Sequence, residues 1–232
     1  MTSSPQTISL RFLNRAQVES LSPDEDELVS VIESGLRAHG MKQTVLPPKA
    51  HLVLDHLVNG HFNILSGYVG PIRQAGVKVI GDYVDNWKRR LPSEVALLTL
   101  YDPETGVPSC LMDATSLTWQ RTGAVTCVGA RMLARPDSRV VTHIGARGTA
   151  FQNLKLLAGQ FDLEEIRISS LRAESRERLP AGVAQTGVVA VEPVPRPGGA
   201  ETNEPAGGLG VDCLTEWRAI KCLDPDSPEQ RY

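Results

Sequence analysis

Apolar and polar positions recur along this chain with periods that change from segment to segment. Between positions 22 and 40, SPDEDELVSVIESGLRAHG opens on a serine, a proline and a run of acids, then places Leu28, Val31, Ile32 and Leu36 at helical spacing before Gly40. Ser22 reads as an N-cap with Glu25 completing a capping box, and Pro23 suits the first turn. The acids favour the positive end of the helix dipole and the glycine favours termination, so a helix packed along one face is predicted over 22–40. Over 76–113 the period falls to two: GVKVIG, EVALLTLYD and VPSCLMD read as strands, and DPETG at 102–106 as a hairpin turn, giving an antiparallel sheet. From 113 to 133 the helical period returns, with Leu117, Val125, Val128 and Met132 on one face and Pro136 beyond its end.

After position 139 the pattern changes again. RVVTHIG reads as a strand, 150–160 as a helix and EIRISS at 165–170 as a second strand. The span 139–170 covers 32 residues, close to the ~30 of a parallel strand-helix-strand unit. Beyond 179 the character shifts: positions 180–232 hold 7 prolines and 7 glycines in 53 residues, against 9 and 13 in the preceding 179. That fraction approaches the composition at which chains stop packing. The expected layout is an α+β domain over 1–136, a parallel α/β unit over 137–179, and a disordered tail over 180–232, with two parallel strands before the tail.

Composition narrows the function classes. With 232 residues and 41% apolar positions, an ordinary core is expected. The formal charge of −3, with signs interspersed, provides neither the basic stripe of a nucleic-acid binder nor a polybasic membrane anchor. The opening MTSSPQTISLRF lacks the apolar core of a signal peptide, and no run approaches the roughly 18 apolar residues of a membrane span. A cytoplasmic protein acting on small molecules or protein partners is expected. Cys110, Cys127, Cys213 and Cys222 form no C-x-x-C pair and read as reduced thiols.

Four places could carry chemistry. In VVTHIGARGTAFQN at 140–153, Gly145 supplies the first glycine of a phosphate-gripping turn and Ala150 the small residue for close helix-strand packing, while Arg147 stands where a second glycine is usual and Gly148 follows it. An ordinary strand-to-helix turn is the competing reading. Lys78 interrupts the apolar strand VKVI; it either snorkels from an edge strand or is held in a pocket. Arg121 lies on an otherwise apolar helix in TWQRTGAVTC, where a guanidinium could clamp a carboxylate or simply face solvent. Lys49 follows two prolines that restrict the local backbone. His51 and His56 are five apart without a carboxylate pattern, and no metal is expected there.

Taken in order, GVKVIG, LTLYDPETGVPSCLMDATSLTWQRTGAVT and ARPDSRVVTHIGARGTA resemble the ornithine cyclodeaminase/mu-crystallin family over positions 12–178. The resemblance implies an N-terminal α+β dimerisation and substrate domain followed by an incomplete Rossmann-like α/β nucleotide domain, and a homodimer formed through the N-terminal sheet. It implies an NAD or NADP cofactor, an amino acid substrate, and oxidation through an imine. The family's substrate-binding lysine falls on Lys78, which would also be catalytic, and its carboxylate-binding arginine on Arg121; Lys49 stands where many members have another arginine. With DNWKR at 85–89, that replacement looks more like the branch acting on N-linked amino acid conjugates. Nucleotide contacts fall on Gly145, Ala146, Arg147, Gly148, Thr149 and Ala150, and on Ser169, Ser170 and Arg172, which replace the acid of an NAD site and point to NADP. The family's later aspartate motif has no match: Asp212, in GVDCLTE, lacks the surrounding glycine and lysine. The chain therefore reads as a truncated or frame-shifted member, expected not to turn over alone; the alternative is a non-catalytic dimeric binding protein.

Overall fold

The computed structural model describes residues 7–54, 56–146, 148–170, 179, 183 and 190–193. Its chain divides into two compact units, Met1–Asp24 with Glu33–Thr118, and Glu25–Ile32 with Trp119–Tyr232. Among the described residues no helix is long and apolar enough to cross a membrane.

The first unit is built on a seven-stranded mixed sheet. Its strands are β1 (Arg11–Leu13), β2 (Thr44–Val45), β3 (Ala50–Val53), β4 (Gly60–Val69), β5 (Gln74–Tyr83), β6 (Glu94–Tyr101) and β7 (Pro108–Asp113). The order is β1-β7-β6-β5-β4-β2, with β3 also paired to β4, and β1 alone runs parallel to its neighbour. The predicted strands are β5, β6 and β7, and the hairpin turn forms as expected: Asp102 N–H donates to Val107 O and Gly106 N–H to Asp102 O, both at 2.9 Å. Gly106 sits at φ +70°, the left-handed conformation that favours glycine there. Strands β1 to β4 were not anticipated. A short helix, α1 (Arg15–Ser20), starts at a capping box in which Asn14 and Gln17 exchange side-chain-to-backbone bonds.

The next helix, α2 (Glu25–Gly40), begins three residues after the expected cap. Ser22 is committed elsewhere: its hydroxyl donates to Val18 O and its amide to Glu19 O, both closing the end of α1. The apolar stripe also differs, since Val29 is buried with Leu28 and Ile32 beside it, whereas Val31 and Leu36 are exposed.

In the second unit, β8 (Val140–Ile144), β9 (Glu165–Ser169) and β10 (Ala190–Pro193) form an all-parallel sheet in the order β10-β9-β8. The third strand lies inside the stretch expected to be a disordered tail, a correction to the two-strand expectation: Ala190–Pro193 pairs in parallel with residues 165–168 despite its Pro/Gly-rich surroundings. Helix α4 (Gly148–Gln160) joins β8 to β9. Its Ala150 and Leu154 pack with Ile166 and Ile168 of β9 and with Leu179 and Val183, while Leu156 and Leu157 pack with Val29 and with Ala124, Cys127 and Val128 of α3 (Thr115–Leu133).

The buried face of α3 only partly follows the predicted one. Val128 is buried and Leu117 packs on the first unit's core cluster, but Val125 and Met132 are exposed, and the second unit buries the small residues Thr122, Gly123, Ala124 and Cys127 around Val128. Gly123 shows why: a Cβ there would lie 2.9 Å from the backbone carbon and oxygen of Gln152 on α4, so the two helices touch through a bare backbone position. Gly123→Ala is expected to lower stability by about 1–3 kcal/mol, the usual range for overpacking a site that cannot give way. Denaturant unfolding measures it; an unchanged midpoint would show that the helices are not in contact here.

Candidate functional site

Lys78 sits mid-strand on β5, an interior strand, so the edge-strand alternative does not hold. Its register partners are Leu65 on β4 and Leu98 on β6. It shares its sheet face with Ile80 and Ala96, the core cluster against which Leu65, Leu98 and Leu117 also pack. The ammonium donates to Thr118 Oγ1 at 3.2 Å. Thr118 directs its own hydroxyl hydrogen to Ala114 O at 2.8 Å, leaving an oxygen lone pair for the lysine.

The start of α3 puts Thr118 in that position. Asp113 Oδ1 accepts from Thr115 N–H at 2.9 Å, Ala114 N–H donates to Ala96 O at 2.8 Å, and Ala96 N–H returns to Thr115 Oγ1 at 3.0 Å. Thr118 contributes as much as Lys78 to this arrangement, yet it passed unremarked in the sequence; the signal was a buried threonine three residues before the arginine. Arg121 is exposed and belongs to the second unit, whereas Lys49, also exposed, immediately precedes β3 in the first. His51 and His61 lie side by side with ring centroids 6.0 Å apart.

The nucleotide candidates fall together. Ile144 and Ser169, the last residues of β8 and β9, are register partners. Gly145 N–H donates to Ser169 O at 2.7 Å, so the glycine turn and the end of the second strand are directly joined. Gly145 has φ +103° and nothing within 4 Å of a built Cβ; glycine is required there by conformation rather than by space. Ala146 follows, α4 starts at Gly148, and Thr149 lies in its first turn with Ala150 buried beneath. Gly148 lies against Trp119, whose ring would be 3.0 Å from an added Cβ. Arg147 and Arg172 lie outside the described residues.

Behind the turn is a polar group that sequence reasoning passed over. His143 Nδ1 lies 3.0 Å from Gly145 O, and its Nε2 lies 3.2 Å from Asn153 Nδ2. Asn153, fully buried on α4, receives at Oδ1 the hydroxyl of Thr126 on α3 at 3.2 Å. The available signal was a histidine in an apolar strand, two residues from Val141 and hence on the covered face. Burial holds the His143 pKa below its ordinary 6.5, against the raising effect of its bond to Gly145. Cys127 is also buried, with its thiol pushed up to about 12 by desolvation, so it stays protonated and unreactive. Cys110 is likewise a free, buried thiol, and the other two cysteines lie outside the described residues.

A model of the ornithine cyclodeaminase/mu-crystallin family matches residues 10–195. The chain belongs to this family. The match runs beyond the 12–178 recognised in the sequence and takes in β10. An alanine dehydrogenase of Archaeoglobus fulgidus is 31% identical over 179 residues, 77% of this chain and 54% of the relative. An archaeal alanine dehydrogenase dimer with bound NAD superposes with a TM-score of 0.72 at 29% identity, covering 81% of this chain and 56% of that one. The Δ1-pyrroline-2-carboxylate reductase of Thermococcus litoralis, in complex with NADH and L-proline, gives 0.76 at 26%, covering 81% and 57%. The chain thus spans about half the length of the curated relatives it matches. Family membership and these neighbours agree with a Rossmann-like α/β fold for the unit that carries the parallel sheet.

The depressed His143 pKa sets a pH dependence. The unfolded histidine titrates near 6.5, so below that value the unfolded chain binds more protons than the folded one, and stability falls as pH drops through the window. Above 6.5 the contribution is fully present. Melting curves from neutral pH down to about 5 should show a steeper loss for the wild type than for His143→Asn, which cannot titrate; parallel curves would contradict the assignment.

Proposed function

We propose that this chain is an NAD(P)-dependent oxidoreductase acting on an amino acid or an N-linked amino acid conjugate through an imine. The observation that carries the reading is the joined arrangement of Gly145, Ser169 and the start of α4 at the carboxyl ends of two parallel strands, where a dinucleotide is bound in folds of this type. The residues present fit such a ligand: the turn leaves open space at a positive-φ glycine, and the first amides of α4 are available to a pyrophosphate. Backbone groups of Gly145, Ala146, Gly148 and Thr149 would hold the phosphates, with Arg147 adding charge. Nicotinamide, when bound, supplies the acceptor for the substrate's α-hydrogen as hydride.

The protein's part is geometry and proton handling. Lys78, oriented by Thr118, would meet the substrate carboxylate or move a proton, and Arg121 and Lys49 would hold carboxylate oxygens. The strand after the turn ends at Ser169 and is followed by Ser170 and, in sequence, Arg172, with no acid at 169–172 for ribose hydroxyls, which favours NADP over NAD. A second reading, a non-catalytic dimeric binding protein, is favoured by the three-stranded nucleotide sheet among the described residues, smaller than the ordinary six.

A fluorescence titration with NADH and NADPH, followed by energy transfer from tryptophan, tests the first step; no transfer with either would refute the nucleotide reading. Given binding, Lys78→Ala should abolish cofactor reduction with amino acid substrates while leaving cofactor affinity within about twofold. Arg121→Ala should raise KM for carboxylate substrates by roughly tenfold or more, through loss of a charged partner. Cofactor reduction by neither variant nor wild type, with binding intact, would instead support the binding-protein reading.

A homodimer through the sheet is part of this proposal. On the face opposite Lys78, the register partners Ile64, Val79 and Leu97 form an exposed apolar row, with Val95 beside them. A contiguous apolar patch of this kind marks an interface rather than a solvated surface. Leu97→Glu should convert a dimer to monomer in sedimentation velocity; a wild type that is already monomeric would remove this part.

A further inference from the structure

His143 is placed to do more than fill a gap under α4. It lies on β8 beside Asn153 of α4, which is bonded in turn to Thr126 of α3, and its Nδ1 approaches the carbonyl of Gly145, the residue on which the turn pivots. The proton positions follow from the contacts. An Nδ1 lone pair facing a carbonyl oxygen at 3.0 Å would be repulsive, so Nδ1 carries the hydrogen and donates it. Nε2 can then be bare, accepting from Asn153 Nδ2, or protonated, which would require Asn153 to present its oxygen. Thr126 Oγ1 lies 3.2 Å from both Asn153 Oδ1 and Thr122 O, so the ring decides: with Nδ1 protonated and the buried setting disfavouring an imidazolium, Nε2 is bare and Asn153 turns its nitrogen to it, which leaves Oδ1 for the Thr126 hydroxyl. The consistent set is Thr126 O–H to Asn153 Oδ1, Asn153 N–H to His143 Nε2, and His143 Nδ1–H to Gly145 O.

This chain of bonds acts on one peptide plane. The C=O of Gly145 and the N–H of Ala146 belong to the same trans peptide and point in opposite directions. Holding the carbonyl against His143 therefore turns the Ala146 N–H away from the sheet side of α4. The other end of Gly145 is held too, by its N–H bond to Ser169 O at 2.7 Å. A glycine at φ +103° is free of Cβ constraint and can rotate. Without the histidine bond, the plane can turn over and present an oxygen where a phosphate needs a donor.

We propose that His143 is the positioning residue of the nucleotide turn: by donating from Nδ1 to Gly145 O, it fixes the Gly145–Ala146 peptide with its N–H directed at the dinucleotide phosphates. This rests on the reading of the turn as a dinucleotide site. It gives the turn a preformed shape in a chain that has Arg147 where a second glycine is usual. Asn153 and Thr126 act through His143 by selecting its tautomer.

Two amide substitutions separate this role from simple packing. His143→Asn carries an amide nitrogen near the place of Nδ1 and can still donate to Gly145 O, whereas His143→Gln reaches the place of Nε2 and keeps the contact to Asn153. Both remove the ring and introduce a polar side chain of similar kind. Dissociation constants for NADH and NADPH are to be measured by tryptophan energy transfer on the full chain, together with imidazole nitrogen NMR shifts of the wild type. The expected result is a neutral, Nδ1-protonated His143, near wild-type affinity for His143→Asn, and affinity weaker by about tenfold for His143→Gln and His143→Phe, the effect of one hydrogen bond. An Nε2-protonated ring, or equal affinities for the Asn and Gln variants, overturns the positioning role while leaving nucleotide binding standing. A wild type that binds neither cofactor overturns the nucleotide reading, and this role with it.

Discussion

The first unit depends on how a helix is fastened to a sheet interior. Ala96 of β6 uses both its backbone groups on the start of α3, giving its N–H to Thr115 and accepting from Ala114. A helix N-terminus carries unsatisfied donors, and a strand interior tolerates few unpaired groups, so satisfying both in one place removes two liabilities at once. The consequence is positional. With residues 114 and 115 pinned to β6, Thr118 comes one turn along, against the next strand, β5, where Lys78 emerges. The lysine, flanked by Leu65 and Leu98, thereby meets a hydroxyl oxygen on its own sheet face.

The second unit solves a different problem, keeping a buried polar group without losing close packing. Helix α4 shows Ala150 and Leu154 to the sheet and Leu156 and Leu157 to α3, leaving Asn153 between two apolar clusters. A buried amide without partners would be costly; here it is bonded through both Oδ1 and Nδ2. The close approach at Gly123 is what brings Thr126, three residues on, within reach of Asn153 across the helix pair. A small-residue face on α3 and a polar network beneath the turn are therefore one device.

What could be read in advance follows from this. Strands β5, β6 and β7 were legible because they alternate strongly and are joined by a turn with its own signature at Asp102 and Gly106. The strand-helix-strand unit was legible because its period changes twice within 32 residues. Strands β1 to β4 were hidden: three are short, and β4 interleaves Asn63, Ser66 and Gly67 with apolar residues, so their pairing depends on distant partners. The α3 face was only partly legible: hydrophobic spacing found Val128, but the rest of the contact with α4 is made by Gly123, Ala124, Thr126 and Cys127, residues too small or polar for that pattern to pick out. Of the candidate residues, the order of motifs singled out Lys78 and Gly145, and the end of the second strand singled out Ser169. Thr118, Asn153 and His143 were not legible as partners, since hydrogen bonds between elements leave no periodic trace.

The far face of the parallel sheet shows how sequence and environment must agree there. Outward positions alternate in register as Val140 with Glu165, Thr142 with Arg167, and Ile144 with Ser169. Parallel sheets are normally covered on both sides, and their strands are apolar throughout. On this face β9 is polar at every outward position, with Arg167 paired to Glu165 at 2.6 Å and the Glu165 carboxyl held below its usual range by that hydrogen bond. The exposed apolar residues, Val140 at 44% and Ile144 at 40%, belong to β8. An exposed pair such as Glu165 and Arg167 contributes little to stability, but burying it without replacing its water would cost more than the apolar strip returns. Any segment lying over this face therefore has to bring apolar surface to β8 and hydrogen-bonding groups, or retained water, to β9.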